Sequence, residues 1–465
     1  FIMPQQNYLI KKALLSDGWA ENVRLSVSDD GFISGLSKNA NAEPGDQRLG
    51  IVIPGLVNCH SHAFQRAMAG LTEYQVSSAD TFWSWRKTMY RFANLVSPEA
   101  LQDIASYLYV EMIKQGYTSV AEFHYLHHQT NGTAYSSVSQ LSQSIINAAN
   151  IAGINLTLLP VLYMNSGFGD LALLDDQKRF GNSVESYLAL HDEATRYCSE
   201  QNQHSVGMAL HSLRAVPAKP MSEVISHFNR MGNQGPIHIH IAEQTQEVEQ
   251  SIKALGKRPV EWLLDNHPID KQWCLIHATH MTSEETAGVA KSGATVGICP
   301  TTEANLGDGL FPLREYLDHG GHIAIGSDGN TCTNPLEELR WLEYGQRLLS
   351  RTRNIAANDR ERHTGSSLLG QCLTGGARSI GKNTGTLKVG YRADLLVLDE
   401  HSADLSGIAK EFVVDTLVFG SSHSLIKSVM INGAWQITDF HHANELQIKE
   451  KFISATRELR SQDAS

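Results

Sequence analysis

His60-Ser61-His62 ends an apolar run, Ile51-Val52-Ile53-Pro54-Gly55-Leu56-Val57. On a β-strand, side chains at i and i+2 point to one face, so two imidazoles at a strand terminus can reach a single ion. Three more apolar runs end in the same chemistry: Ile237-His238-Ile239-His240, Leu275-Ile276-His277 and Ile323-Ala324-Ile325-Gly326-Ser327-Asp328. One His-x-His is weak. Four strand ends carrying His, His, His and Asp in that order point to one catalytic site assembled from distant parts of the chain. His60, His62, His240 and Asp328 offer nitrogen ligands and one carboxylate to a divalent ion, a set that suits Zn2+, with Fe2+ and Mn2+ as rivals. The competing reading is that each histidine is satisfied in a core. It weighs heavily for any one taken alone and lightly for the set.

Other residues near these ends invite roles. Glu243 lies three residues after His240, so a regular strand sends it to the opposite face. It reaches the site only where the chain curls over the strand ends straight after Ile241-Ala242, and there it can shuttle protons. Its alternative is a surface carboxylate capping the next helix. His277 faces the same end and can be a second base, an electrophile or a ligand. Asp328 can bind metal and also accept a proton. His238 sits one layer deeper than His240 and is expected to pack, and Cys59, of opposite parity to His60, is expected to face outward. Arg86 and Arg214 oppose the net charge of the chain, and guanidinium groups are the usual bidentate partners of carboxylates. Arg66, Arg91 and Arg179 compete with them for that part. Trp83 and Trp85 read as loop packing.

These side chains need a frame. Eight short apolar runs lie near 51–60, 118–125, 155–163, 204–212, 236–243, 273–280, 294–301 and 322–328. Most are continuous rather than alternating, as in parallel strands covered on both faces. The stretches between them have helical periodicity, as in residues 101–115, with apolar positions at 101, 104, 105, 108, 112 and 113. The fold class expected is α/β: a (β/α)8 TIM-like barrel with chemistry at the C-terminal strand ends. The flanks carry short β-like pieces, including an Asn432-Gly433 turn signal. Residues 1–50 plus 385–435 are expected to form a small β-sandwich domain, residues 51–384 the barrel, and residues 436–465 a C-terminal helix.

The 465 residues suit a barrel plus a smaller partner, and 42% hydrophobic with 19% charged residues is a globular balance. A formal charge of −11 argues against nucleic acid or an anionic membrane as partner. Six cysteines without a C-x-x-C pair read as reduced thiols. No apolar stretch is long enough to span a bilayer and Phe1-Ile2-Met3 does not open a secretion signal, so the expected location is cytoplasmic.

The stretches Pro54-Gly55-Leu56-Val57-Asn58-Cys59-His60-Ser61-His62, His240-Ile241-Ala242-Glu243, His277 and Ser327-Asp328 resemble the amidohydrolase superfamily in its mononuclear deaminase branch. Within that branch the chain is similar to the formimidoylglutamate deiminase family along nearly its whole length. The more specific motifs are residues 62–70, Phe82-Trp83-Ser84-Trp85-Arg86, Ala121-Glu122-Phe123-His124-Tyr125, and Pro160-Val161-Leu162-Tyr163 with Ser166-Gly167-Phe168. The resemblance implies one catalytic zinc per chain on His60, His62, His240 and Asp328, with Glu243 and His277 moving protons. Gln65, Arg86, Tyr125, His211 and Arg214 would contact a small dicarboxylate amidine, the arginines taking its carboxylates. The implied reaction is hydrolysis of N-formimidoyl-L-glutamate to N-formyl-L-glutamate and ammonia in histidine degradation. The strand ending in His211-Ser212 carries no lysine, the residue that bridges two metals in related barrels, which favours one metal over two. Relatives are often dimers, so a homodimer is expected. Rival readings are a deaminase of guanine, cytosine or a related ring amidine, a binuclear hydantoinase or dihydroorotase, and a barrel that has lost its metal.

Overall fold

A computed structural model describes residues 6–75, 80–200, 203–232 and 235–463. The N-terminal residues 1–3, read above for a secretion signal, lie outside them. Eight parallel barrel strands follow in chain order: Leu56–Ser61, Tyr117–His124, Asn155–Leu162, Met208–Leu210, Ile237–Ile241, Trp273–His277, Thr295–Ile298 and His322–Ile325. Every residue of the first three is buried, because helices cover one face and the barrel interior the other. Between the last strand and the first, the seam closes at the C-terminal end. There Asp328 N–H donates to the His60 carbonyl at 2.9 Å, and His62 N–H donates to the Asp328 carbonyl at 3.0 Å. The metal-type residues at both ends of the chain's barrel are thus joined through their own backbone.

The helix Pro98–Gln115 shows why the sequence pattern is readable. Ser97 caps its N-terminus by accepting from Ala100 N–H, Pro98 opens it, and Gly116 ends it with φ +109°. The six apolar positions of its sequence pattern, Leu101, Ile104, Ala105, Leu108, Met112 and Ile113, are all fully buried. Helix Thr364–Ile380 packs closer still on the first and last strands. A Cβ at Gly375 would lie 1.7 Å from the Ile323 carbonyl oxygen. Gly375→Ala is therefore expected to cost about 3 kcal/mol despite the better helix propensity of alanine, since the helix must move off the strand. A urea midpoint equal to that of the unsubstituted protein would contradict this packing.

Two expectations need correction. The apolar run 51–57 is not one strand. Gln47–Pro54 pairs in the terminal sheet and Leu56–Ser61 in the barrel, with Gly55 as the crossing point. A Cβ there would lie 2.2 Å from the Thr118 side chain, so only glycine lets the chain pass between the two sheets. The terminal β unit is built from both ends of the chain, as expected, in one eight-stranded sheet that is antiparallel except where Gln6–Leu15 pairs with Gln47–Pro54. It curls on itself around its own apolar cluster, bringing the Tyr8 ring edge-on to Trp435 from four strands away. That sheet also runs on past 435. The turn Asn432-Gly433, with φ +48° and +75°, leads into Ala434–Thr438 and then His441–His442, and the C-terminal helix starts only at Glu445. The alternation of residues 434–438 is too short to separate from a helix start by pattern. Among the described residues no helix is long and apolar enough to cross a membrane.

Candidate active site

The His60 and His240 Nε2 atoms lie 3.0 Å apart, and the Asp328 Oδ1 atom stands 3.4 Å from His60 Nε2 and 3.2 Å from His62 Nε2. One nitrogen from each of His60, His62 and His240 falls within 4.8 Å of the others, an arrangement able to hold a metal ion. Two of the rings are fixed from behind. His62 Nδ1 donates to the Phe123 carbonyl at 2.9 Å, and His240 Nδ1 to the His211 carbonyl at 3.1 Å. A carbonyl accepts only, so each Nδ1 holds its proton and each Nε2 is the nitrogen turned inward. Burial pushes the His60 pKa down to about 3 and that of His240 well below the usual range, which keeps both neutral. Lone pairs gathered at this spacing beside a carboxylate repel one another in a buried space unless a cation lies among them. The donor set therefore fits a divalent ion of the nitrogen- and oxygen-preferring kind.

Backbone strain aims the remaining groups. Ala242 has φ +51°, His277 +70°, Ala278 +47° and Asp328 +45°, all left-handed, a conformation that costs non-glycine residues of order 1–3 kcal/mol each. The Ala242 turn is the curl that Glu243 needs to escape strand parity. Glu247 holds it, its carboxylate accepting from Ala242 N–H at 3.0 Å and Glu243 N–H at 2.9 Å. Glu243 Oε1 then stands 3.8 Å from His277 Nε2, with Asp328 Oδ2 at 3.7 Å from the same nitrogen. Burial raises the Glu243 carboxyl to about 7. His277 loses basicity by burial, but Glu243, Glu303 and Asp328 outweigh that loss and hold its pKa well above the ordinary value. Burial likewise disfavours the charged Asp328, yet His60 and His62 hold its pKa well below the carboxylate range.

The other wall of the cavity is cationic and polar. The cavity is lined by His62, Gln65, Arg86, Tyr125, His211, Arg214, His240, Glu243, His277 and Asp328, with His60 beneath them. Gln65 donates to the Tyr125 hydroxyl at 3.1 Å, and its own carbonyl is buried without a partner. Arg86 sits one turn into helix Phe82–Leu95, which Thr81 caps, and Arg214 follows the fourth strand. Arg86 Nη1 and Arg214 Nε are buried without partners. Trp83 is more than loop packing. Both guanidinium groups lie against its ring, Arg86 at 4.9 Å and Arg214 at 5.5 Å from the centroid, and Trp85 lines the cavity. The negative face of an aromatic ring attracts a guanidinium without neutralising it. The competing arginines are engaged elsewhere: Arg66 donates to the Asn330 carbonyl, Arg179 is buried on the carbonyls of Ala93 and His128, and Arg91 lines a neighbouring cavity.

Sequence reasoning missed the supports. Glu303 Oε1 accepts from His277 Nδ1 at 3.2 Å, and Asn58 bridges His60 N–H and Ser327 N–H. Asn330 reaches back to the His62 carbonyl and Ser61 hydroxyl. A carboxylate five residues beyond a barrel strand was the available signal for Glu303; Asn58 and Asn330 carried none. His238 packs as expected, on the Ser379 carbonyl at 2.7 Å. Cys59 does not face the helices. A Cβ at Gly297 of the seventh strand would lie 3.0 Å from its Sγ, so it points across the barrel interior. The register against the second strand slips between Asn58 and Ser61, which breaks the simple alternation.

A profile of the Amidohydrolase family matches residues 51–435. The chain belongs to the amidohydrolase family. Residues 10–50 match a second profile, Formimidoylglutamate deiminase HutF, N-terminal domain. This amidohydrolase is 44% identical to the formimidoylglutamate deiminase of Pseudomonas aeruginosa, over 97% of this chain and 98% of that one. Identity to the 5-methylthioadenosine/S-adenosylhomocysteine deaminase of Pyrococcus furiosus is 25%, over 91% and 94% of the two chains. The crystal structure of an amidohydrolase from Brucella melitensis superposes with a TM-score of 0.93 at 42% identity, covering 98% of this chain and all of that one (100%). The amidohydrolase family is metal-dependent and its members are hydrolases; this chain is a hydrolase acting on a C–N bond.

Proposed function

We propose that this amidohydrolase is a zinc-dependent deiminase converting N-formimidoyl-L-glutamate and water to N-formyl-L-glutamate and ammonia, a step of histidine degradation in the cytoplasm. The observation that carries the reading is the polarity of one cavity: Arg86 and Arg214, each with an unpartnered buried nitrogen, and Glu243, His277 and Asp328, which meet at 3.7–3.8 Å contacts. Two guanidinium groups suit two carboxylates, and a carboxylate cluster suits an amidinium. The 44% identity to a formimidoylglutamate deiminase supports the same substrate. A ring amidine would leave both arginines without counter-charge.

His60, His62, His240 and Asp328 would hold the ion, which when bound lowers the pKa of water from about 15.7 to around 7 and so makes hydroxide accessible at neutral pH. Asp328, with His277 beside it, takes the proton of the attacking water. The formimidoyl group is an amidine, cationic at neutral pH, and Glu243 pairs with it. After attack, the proton taken by Asp328 passes by way of His277 and Glu243 to the terminal nitrogen, the C–N bond breaks and ammonia leaves, and the hydroxyl on the carbon gives its proton back to Asp328 as the carbonyl forms. Gln65, Tyr125 and His211 line the space between the two poles, with burial keeping His211 neutral. Arg86 and Arg214 do no bond chemistry; they fix the carbon in line for attack, an orientation effect.

Replacing Arg214 with methionine keeps the packing stem and removes a charged hydrogen-bonding group worth about 1.5–3 kcal/mol. The expected result is a kcat/KM lower by roughly 10- to 150-fold, carried mostly by KM, with full metal content. An unchanged kcat/KM would remove Arg214 from the pocket. The reading as a whole is tested by ammonia release from N-formimidoyl-L-glutamate, guanine and cytosine, with metal measured in parallel. Turnover of a ring amidine and none of the dicarboxylate would overturn it.

A further inference from the structure

We infer that Glu303 is a positioning residue of the reaction, fixing the tautomer and the ring orientation of His277. The inference rests on the proposed reading of His277 as a proton carrier. Glu303 does not line the cavity, so it meets no substrate, and nothing in the mechanism above uses it. Yet its buried carboxylate does two specific things. Oε1 accepts from His277 Nδ1 at 3.2 Å and from the Cys299 N–H at 2.9 Å. The second bond ties the acceptor to the end of the seventh barrel strand, so the oxygen that receives His277 is itself fixed.

The consequence is chemical. A carboxylate that accepts from Cys299 N–H also accepts from His277, so Nδ1 keeps its proton whether the ring is charged or neutral, and Nε2, facing Glu243 and Asp328, is the nitrogen that exchanges. Without such a partner the ring is free to flip, and on losing a proton it divides between two tautomers; only one combination presents Nε2 as the exchanging atom. The left-handed backbone at His277, φ +70°, and Ala278, φ +47°, sets where the ring emerges but not which way it is turned. The short helix Pro300–Leu306 that carries Glu303 is anchored independently. Glu338, fully buried on the helix Pro335–Ser350, accepts from Thr301 N–H at 2.9 Å and from the Thr301 hydroxyl at 2.6 Å. The seventh and eighth strand-to-helix connections thereby converge on one imidazole from the side away from substrate.

Glu303→Gln and Glu303→Ala test this in the zinc-loaded protein. Glutamine retains a carbonyl able to accept from both Nδ1 and Cys299 N–H; alanine retains neither. The expected order is kcat lower by about 10-fold in E303Q and about 100-fold in E303A, the range for partners that orient site histidines, with KM and zinc content within twofold of the unsubstituted enzyme. A second readout needs no turnover: in protein labelled with 15N-histidine and brought to a pH at which the ring is neutral, the signal absent from His277→Asn should report Nδ1–H in the unsubstituted protein and E303Q, and mixed tautomers in E303A. If the unsubstituted enzyme turns over N-formimidoyl-L-glutamate but E303A keeps its kcat, or loses kcat only in proportion to zinc, the inference about Glu303 fails alone. If the unsubstituted enzyme releases no ammonia from that substrate, the functional reading fails, and the tautomer measurement still decides whether Glu303 sets the ring.

Discussion

Asp328→Asn is expected to lower kcat by roughly 10³- to 10⁴-fold, the upper part of the range for loss of a general base. Asparagine is the informative replacement because it preserves everything except the charge and the basicity. Asp328 has φ +45°, a region asparagine tolerates better than almost any other residue but glycine. Its backbone closes the barrel through His60 and His62, and those hydrogen bonds do not involve the side chain. Thermal stability should therefore change little. What is lost is the carboxylate at 3.2–3.4 Å from two imidazoles and 3.7 Å from a third, which would both hold the ion and take the proton of water. Steady-state kinetics with zinc content measured on the same sample checks it. Near-normal kcat in D328N would sink both assigned roles.

Glu243→Gln is expected to reduce kcat by about 10³-fold while zinc stays bound. The side chain keeps its size, and the Ala242 turn that aims it depends on Glu247, not on Glu243 itself. Only the ability to exchange a proton and to oppose the amidinium charge disappears. Because protonation of the departing nitrogen precedes loss of ammonia, kcat should fall more than KM rises. Loss of zinc in E243Q would instead make Glu243 a ligand or a support of the fold.

These two residues mark the boundary of what the chain reveals when read in one dimension. The eight strands were legible because buried parallel strands are continuous apolar runs, and the helix Pro98–Gln115 because its cap, period and terminal glycine agree. His60, His62, His240, His277 and Asp328 were legible because side-chain types that rarely end apolar runs ended four of them. Glu243 was legible only as a condition, a curl after Ala242, since a left-handed alanine leaves no mark in composition. Cys59 was misplaced because a register slip between neighbouring strands depends on both strands at once. Trp83 was undervalued because its two guanidinium partners come from residues 86 and 214, which only the closed barrel brings to one ring.

By itself, then, the sequence determined the architecture and the kinds of groups at the site: a (β/α)8 barrel, imidazoles and carboxylates at its C-terminal strand ends, and arginines able to take a dianion. Those follow from local periodicity and residue chemistry. The tertiary structure alone decided which atoms face which. It turned Nε2 of His62 and His240 inward by engaging each Nδ1 on a carbonyl from another strand, brought Glu243 to His277 through a strained alanine, and set Glu303 behind that ring. Orientation of this kind is a property of contacts between segments far apart in the chain, and no single segment encodes it.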